Sequence, residues 1–322
     1  MSNSTLHQDK LMTNWTTANI PSQKSRSAVV TGTGGLGFED ALALARAGGD
    51  VIIAGRNSRK GAAAVAKIRN EVPSATVRFE QVDLASLQSV TDFARRLRSQ
   101  RDSLDLLINN AGLMAPPKRL ETTDGFEMQF GVNYLGHFAL TAELMPLLCK
   151  GKNARIVTLS SIAARNGTLN FDDLQANHSY EPMAVYSQSK LACLMFAFEL
   201  QRRSEAGQWG IASLAAHPGI ARTDLLYNSP GGWSARIIAR SLLWFLFQPV
   251  PQGALPTLFA ATSPDAKAGA YYGPHKLSET RGFPALSKVP PQATDTDVAA
   301  RLWDISENLT KINFGYPSEV NT

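Results

Sequence analysis

The stretch Val29–Gly48, VVTGTGGLGFEDALALARAG, decides the fold. A β-branched run enters a knot of four glycines, Gly32, Gly34, Gly35 and Gly37, and an apolar pattern of helical period leaves it. Glycines gather at a strand-to-helix corner when something has to approach the backbone closely. With no Cβ in the way, the free N–H groups that open the helix can face an anion, and the helix dipole favours negative charge there. Gly32, Gly34 and Gly37 keep the G-x-G-x-x-G spacing of a dinucleotide-phosphate loop, with a strand before it and a helix after it. The competing reading is a glycine-rich turn that holds nothing, and the rest of the chain decides between the two.

Outward from this corner, short β-rich runs alternate with longer helical patterns. The strand candidates are SAVVTG, DVIIAG, TVRFEQVD, LDLLINNAG, ARIVTLSS and IASLAAHPG, with a shorter GAYYG late in the chain. Several are apolar throughout, as strands covered on both faces are. Helical stretches such as SLQSVTDFARRLRSQ lie between them. This alternation predicts right-handed crossovers and a doubly wound parallel α/β sheet whose ligands sit at the carboxyl ends of the strands. A single domain over 26–322 is expected, preceded by a polar arm over 1–25 that lacks the apolar core of a secretory signal. The segment about 225–256 breaks the rhythm and carries Trp233, Trp244, Phe245 and Phe247. It is expected to be a substrate lid; packing of an ordinary core helix and contact with a membrane surface or partner are the alternatives.

Bulk properties exclude several classes. Of 322 residues, 44% are hydrophobic, enough for a sizeable core, and the net charge is +5. Lysine and arginine are scattered, so no nucleic-acid partner is expected. The longest strongly apolar run, SLLWFLFQPV, stops at Pro249, short of the roughly 20 residues that span a bilayer. Cys149 and Cys193 lie in apolar helical patterns, and the histidines do not pair at metal-ligand spacing. No metal site, a reducing compartment and a cytoplasmic location are therefore expected.

Two further places carry chemistry. Sheets that prefer NAD usually place Asp or Glu at the end of the second strand to grip the ribose hydroxyls. Here Gly55 is followed by Arg56, with Asn57 and Lys60 beside it. A guanidinium suits a 2′-phosphate, which favours NADP(H) and leaves NAD(H) as the second cofactor; the alternative is a solvated arginine at a helix start. In VYSQSKLACLMFAFEL, Tyr186 and Lys190 are four apart and share a helix face. A phenol of pKa about 10 is a poor acid at neutral pH, but an ammonium about 4 Å away is worth up to about 4 kcal/mol at a dielectric of about 20. That is enough to bring a phenol into working range for proton transfer. Ser160 and Ser161 close the apolar run ARIVTLSS, where a hydroxyl can meet a substrate carbonyl; helix N-capping or loop hydrogen bonding is the alternative. Asn133, in FGVNYLGHF, is a polar residue in an apolar helical run and calls for a specific partner, whereas His137 reads as a satisfied helix histidine.

Taken together, INNAG, VNYLGHF, RIVTLSS, YSQSK and HPGIARTDL resemble the short-chain dehydrogenase/reductase family in order and spacing, over about Ser27 to Thr223. Within it, DGFEMQFGVNYLGHFALT and the insertion RNGTLNFDDLQANHSYEPMAV look most like the retinol-dehydrogenase branch, which includes protochlorophyllide reductases and WW-domain oxidoreductases. The resemblance implies a Rossmann-type domain with a C-terminal substrate lid and a catalytic tetrad of Asn133, Ser161, Tyr186 and Lys190. In that picture Tyr186 protonates a carbonyl oxygen, Lys190 assists it and holds the nicotinamide ribose, Ser161 orients the substrate, and Asn133 supports a proton-relaying water. It implies cofactor contacts from Gly32, Gly34, Gly35, Leu36, Gly37, Arg56, Asn57, Asp83, Leu84, Asn109, Ala111, Gly112, Tyr186, Lys190, Pro218, Gly219, Ile220 and Thr223. It further implies a ketone, aldehyde or alcohol substrate and pairing into homodimers or homotetramers. The chain departs from the family in one respect: its loop, TGTGGLG, is one residue shorter than the usual T-G-x-x-x-G-x-G, and the missing position often sits beside the 2′-phosphate. A dinucleotide-binding regulator or scaffold with weak turnover is the alternative function.

Overall fold

The structure, a computed structural model, describes residues 14–221 and 248–314. Among the described residues, eight strands form one sheet: β1 Ser27–Thr31, β2 Asp50–Gly55, β3 Val77–Gln81, β4 Leu106–Asn109, β5 Arg155–Leu159, β6 Ala212–Ala216, β7 Tyr271–Lys276 and β8 Arg281–Leu286. Their order is β3-β2-β1-β4-β5-β6-β7-β8. β1 to β7 pair in parallel, and β8 runs antiparallel at the edge. The described helices are α1 Gly35–Arg46, α2 Ser58–Glu71, α3 Leu87–Gln100, α4 Gly136–Leu148, α5 Pro182–Ala206, α6 Val250–Thr262 and α7 Thr296–Thr310. From β1 the chain winds one way through β2 to β3, then returns to place β4 on the other side of β1. The crevice beyond the carboxyl ends of β1 and β4 is thus the topological switch point, where such sheets bind ligands.

The strands form where the sequence is apolar without alternation because both sheet faces are covered. Every residue of β1 and β4 is buried. Val29 pairs with Ile52 on one side and Leu107 on the other, and a one-residue slip would turn each of these onto the opposite face. The helices start on side chains that satisfy their first free N–H groups: Asn57 caps α2, Ser86 caps α3 and Asp295 caps α7. Pro182 opens α5, where its missing N–H costs nothing.

Two cores result, one on each face. Beneath the face covered by α3, α4, α5 and α7, Phe138, Phe196, Trp303 and Phe314 form an aromatic cluster, with Trp303 and Phe314 centroids 4.3 Å apart. Beneath the other, Phe259 of α6 meets Tyr272 and, edge-on at 5.4 Å, Trp15. The described end of the amino-terminal arm is therefore seated against the domain.

The late segment YYGPHKLSETRGFPALSK, in which the sequence marks only GAYYG as a strand candidate, is the β7–β8 hairpin. Pro274 and Pro284 face each other across it and hide the strand pattern; Pro284 lies in the edge strand, and Pro274 lies past Tyr271 and Tyr272, the β7 residues that pair with β6. Of the expected lid, Val250–Pro256 falls in α6, while 225–247 lies outside the described residues, as does Thr223. Ala221 and Gln248, on either side of that gap, are joined by a parallel bridge. Among the described residues, no helix is long and apolar enough to cross a membrane, and no group of three or more His, Cys, Asp or Glu could hold a metal ion.

Candidate active site

The glycine corner is held from behind and open in front. Thr31 Oγ1, at the end of β1, accepts the N–H groups of Asn110 and Ala111, both at 2.9 Å, and Asn110 Nδ2 donates to Thr31 O at 2.7 Å. Asn110 thereby fills the space behind the loop. A Cβ at Gly37 would lie 2.5 Å from Asn110 Nδ2 and 2.7 Å from Gly32 O, so only glycine fits. A Cβ at Gly34 would meet nothing within 4 Å. The outer side of the loop, leading into the first turn of α1 at Gly35 and Leu36, is thus clear for a diphosphate, and these residues fit that part of a dinucleotide.

At the end of β2, Arg56 is exposed and its carbonyl accepts Gln81 Nε2 at 3.3 Å. Asn57 Oδ1 is committed to the Lys60 N–H as the cap of α2. After β3, Asp83 Oδ1 accepts the Ala85 N–H at 3.0 Å, and Leu84 is buried against the start of α4. Asn109 bonds through its side chain to Thr141 of α4 at 3.0 Å, so its carboxamide serves the scaffold.

Across the crevice, Asn133 lies in a π-helical turn, Phe130–Leu135, that leads into α4. Such turns widen a helix locally and are frequent at functional sites. Asn133 Oδ1 accepts the Leu113 N–H at 2.9 Å, while Nδ2 donates to Leu113 O and to Ser189 Oγ, both at 3.0 Å. This carboxamide locks the segment after β4 onto α5. Tyr186 and Lys190, one turn apart on α5, are both buried. Lys190 Nζ donates to Leu159 O, the last carbonyl of β5, at 3.0 Å. A Cβ on Gly112 would lie 3.0 Å from Asn133 Oδ1 and 3.6 Å from Lys190 Nζ, so the ammonium sits between the carboxyl ends of β4 and β5. The serine pair divides its work. Ser160 is buried and donates to Lys190 O at 2.7 Å, whereas Ser161 is half-buried and caps the short turn Ile162–Asn166.

His137 joins the two sides of the crevice. Its Nδ1 lies 3.0 Å from Asn133 O and its Nε2 lies 2.9 Å from Thr31 Oγ1. A carbonyl only accepts, so Nδ1 carries the proton and Nε2 accepts from the Thr31 hydroxyl. Burial lowers the imidazole pKa to about 4, with the Lys190 charge adding to the effect, and keeps it neutral. His137 is the satisfied helix histidine that the sequence predicts, with partners that spacing does not reveal. The side chains of Thr31 and Asn110 belong to no spacing pattern; a threonine before the glycines and a tandem Asn-Asn closing an apolar strand are the signals that mark them. Beyond β6, Pro218, Gly219 and Ile220 lead toward the gap in the described residues.

A doubly wound sheet with a glycine corner at its switch point, faced by a lysine held between two strand ends, defines a dinucleotide-binding α/β domain. The sequence profile described as "short chain dehydrogenase" matches residues 26–230, and the chain belongs to that family of nicotinamide-dinucleotide oxidoreductases. It is 39% identical to the polyprenol dehydrogenase of Mus musculus over 298 residues, 90% of this chain and 85% of the relative. It is 38% identical to retinol dehydrogenase 13 of the same organism over 311 residues, 94% of this chain and 87% of the relative. A crystal structure of an uncharacterized protein from Mycobacterium paratuberculosis superimposes with a TM-score of 0.78 at 39% identity, covering 94% of this chain and 99% of that one.

Proposed function

We propose that this chain interconverts a bulky apolar alcohol and its aldehyde or ketone, with NADP(H) as the preferred hydride carrier. One observation carries the reading: Lys190 Nζ, one turn from Tyr186, is anchored on Leu159 O beside Asn133 and the backbone of Gly112. A buried ammonium there is fixed one turn from the phenol that would exchange a proton with the substrate. In this reading Tyr186 gives its proton to the carbonyl oxygen during reduction and takes it back during oxidation. Ser161 donates a hydrogen bond to the same oxygen. Asn133 fixes the strand end that the ligand rests on. A nicotinamide bound at the crevice supplies or accepts the hydride. Arg56, with no carboxylate at the end of β2, supports the phosphorylated cofactor. The relatives' names favour long isoprenoid alcohols, allylic ones first.

The test is spectrophotometric. NADPH and NADH are offered with a panel of aldehydes and ketones that includes isoprenoid aldehydes of increasing length. Turnover of the apolar members is expected, with Tyr186→Phe losing it by about a hundredfold or more while the cofactor still binds. Tight cofactor binding without turnover of any member, and no effect of Tyr186→Phe, would identify a nucleotide-binding regulator instead.

A further inference from the structure

Under the crevice, beyond β6, lies a chain of polar groups that the reading above does not use. His217 is fully buried and immediately precedes Pro218, Gly219 and Ile220. Its Nδ1 accepts the Gly219 N–H at 3.1 Å, so its proton is on Nε2. That nitrogen lies 3.0 Å from Glu279 Oε2 and 2.9 Å from Ser287 Oγ. The same Oε2 receives Arg165 at 2.6 Å, and Glu279 Oε1 accepts the Lys288 N–H at 2.9 Å. Arg165 belongs to the turn that Ser161 caps. One carboxylate therefore connects three pieces: the turn after β5, the segment after β6, and the β7–β8 hairpin.

The hairpin is shaped to bring that carboxylate in. Leu277, Ser278 and Glu279 are consecutive non-glycine residues with φ of 49°, 54° and 66°. L-residues are disfavoured in this region, and a run of three persists only where the surroundings impose it. The hairpin also grips the same segment by its backbone: Ile220 N–H donates to Thr280 O at 2.8 Å, and a Cβ at Gly219 (φ 65°) would run into Thr280 O. Gly273 leaves the room that the His217 ring fills. Burial keeps His217 neutral. Burial alone would raise the Glu279 pKa, but hydrogen bonds from His217 and the Lys288 N–H overcome it and hold the carboxyl at about 2.

We propose that Glu279 is a positioning residue: its carboxylate fixes the tautomer of His217, which holds Gly219, and through Arg165 it ties the Pro218–Ile220 segment to the turn capped by Ser161. The consequence for cofactor binding rests on the family resemblance, which implies that Pro218–Ile220 contacts the cofactor at its nicotinamide end. Two variants remove the carboxylate. Glu279→Ala keeps the backbone strain, and Glu279→Gly relieves it, so a folding defect cannot mimic the result in both.

Hydrogen exchange on the ligand-free protein reads the clamp itself. Peptides covering Gly219 and Ile220 should exchange about tenfold faster in both variants, the loss expected for one charge-assisted hydrogen bond, while peptides of β1 and α1 stay unchanged. Adding His217→Ala to Glu279→Ala should change little more, since the two act as a unit. Calorimetry then compares NADPH with 2′-phospho-ADP-ribose, which lacks the nicotinamide. Both variants should bind NADPH about tenfold more weakly and the fragment as wild type does. Unaltered exchange at Gly219 and Ile220 would overturn the clamp, as would equal weakening of NADPH and the fragment. A wild-type protein that binds no NADPH would overturn the cofactor reading instead, and the exchange data would still decide the clamp.

Discussion

Asp40 offers a quantitative test of how α1 is packed. The residue is fully buried one turn past the start of the helix, and neither carboxyl oxygen has a hydrogen-bond partner. Leu36, one turn earlier, lies against Gly253 of α6, 3.1 Å from where a Cβ there would be. Burial, with the neighbouring Glu39 charge adding to it, raises the Asp40 pKa well above the ordinary carboxylate range, so the folded protein keeps this proton where the unfolded chain releases it. The folded state then binds more protons, and the contribution to stability is complete below the unfolded pKa of about 3.9 and declines as pH rises. The decline is about 1.4 kcal/mol per pH unit for as long as only the unfolded form is ionised. Asp40→Asn has nearly the same shape and cannot ionise. Urea denaturation of both proteins at about pH 5 and about pH 6 should therefore show the variant gaining on the wild type over that interval, by up to about 1.4 kcal/mol. Taking the difference cancels every other titration. Asp40→Ala, which removes both unpartnered oxygens, should gain about 1–3 kcal/mol more, less about 1 kcal/mol for the small cavity, or about 0–2 kcal/mol net. A difference between wild type and Asp40→Asn that does not change with pH would refute the claim that this carboxyl is buried in its neutral form.

Two further expectations concern the crevice. Arg56→Ala should raise the Michaelis constant for NADPH about tenfold or more, the loss of one charge-assisted phosphate contact, and leave that for NADH in place; equal shifts in both would remove the case for that contact. His137, with its folded pKa near 4 against 6.5 unfolded, contributes stability that is complete above the unfolded value and is lost as pH falls. His137→Gln should erase about 3 kcal/mol of acid sensitivity over that window, and denaturation curves that keep the wild-type slope would show the imidazole to be solvated.

The parallel sheet was legible in the sequence because each inner strand is covered twice. Val29, Ile52 and Leu107 belong to runs with no polar interruption, and the glycines marked where the first run turns into a helix. β8 was not legible, since Pro284 and the charged residues around it replace alternation with a pattern that reads as loop. In the crevice, spacing alone brought Tyr186 and Lys190 onto one face, and the order of motifs added Asn133 and Ser161. Sequence could not reveal that Asn57 is taken up as a helix cap, that Asn133 stands in a π-turn, or that Glu279 reaches His217 across 62 positions. Those facts depend on backbone geometry: a left-handed run in a hairpin or one extra residue in a helical turn leaves no periodic mark.

The shortened glycine loop changes what lies at the end of β2. Thr33 is the one residue between Gly32 and the glycines that open α1, and its Cγ2 lies 2.9 Å from where a Cβ on Gly55 would be. The short loop therefore carries Thr33 against the end of β2, next to Arg56, and leaves no further residue to reach toward a ribose phosphate from the β1 side. In the proposed function, diphosphate recognition stays with the amides of the α1 start, behind which Asn110 is bonded to Thr31. Under the NADP(H) reading, discrimination between the cofactors shifts to the other strand, where Arg56 and the first turn of α2, with Arg59 and Lys60, present positive charge to solvent. Affinity for the dinucleotide and preference for its phosphorylated form then rest on different strand ends, and a substitution at β2 can change the preference without disturbing the loop.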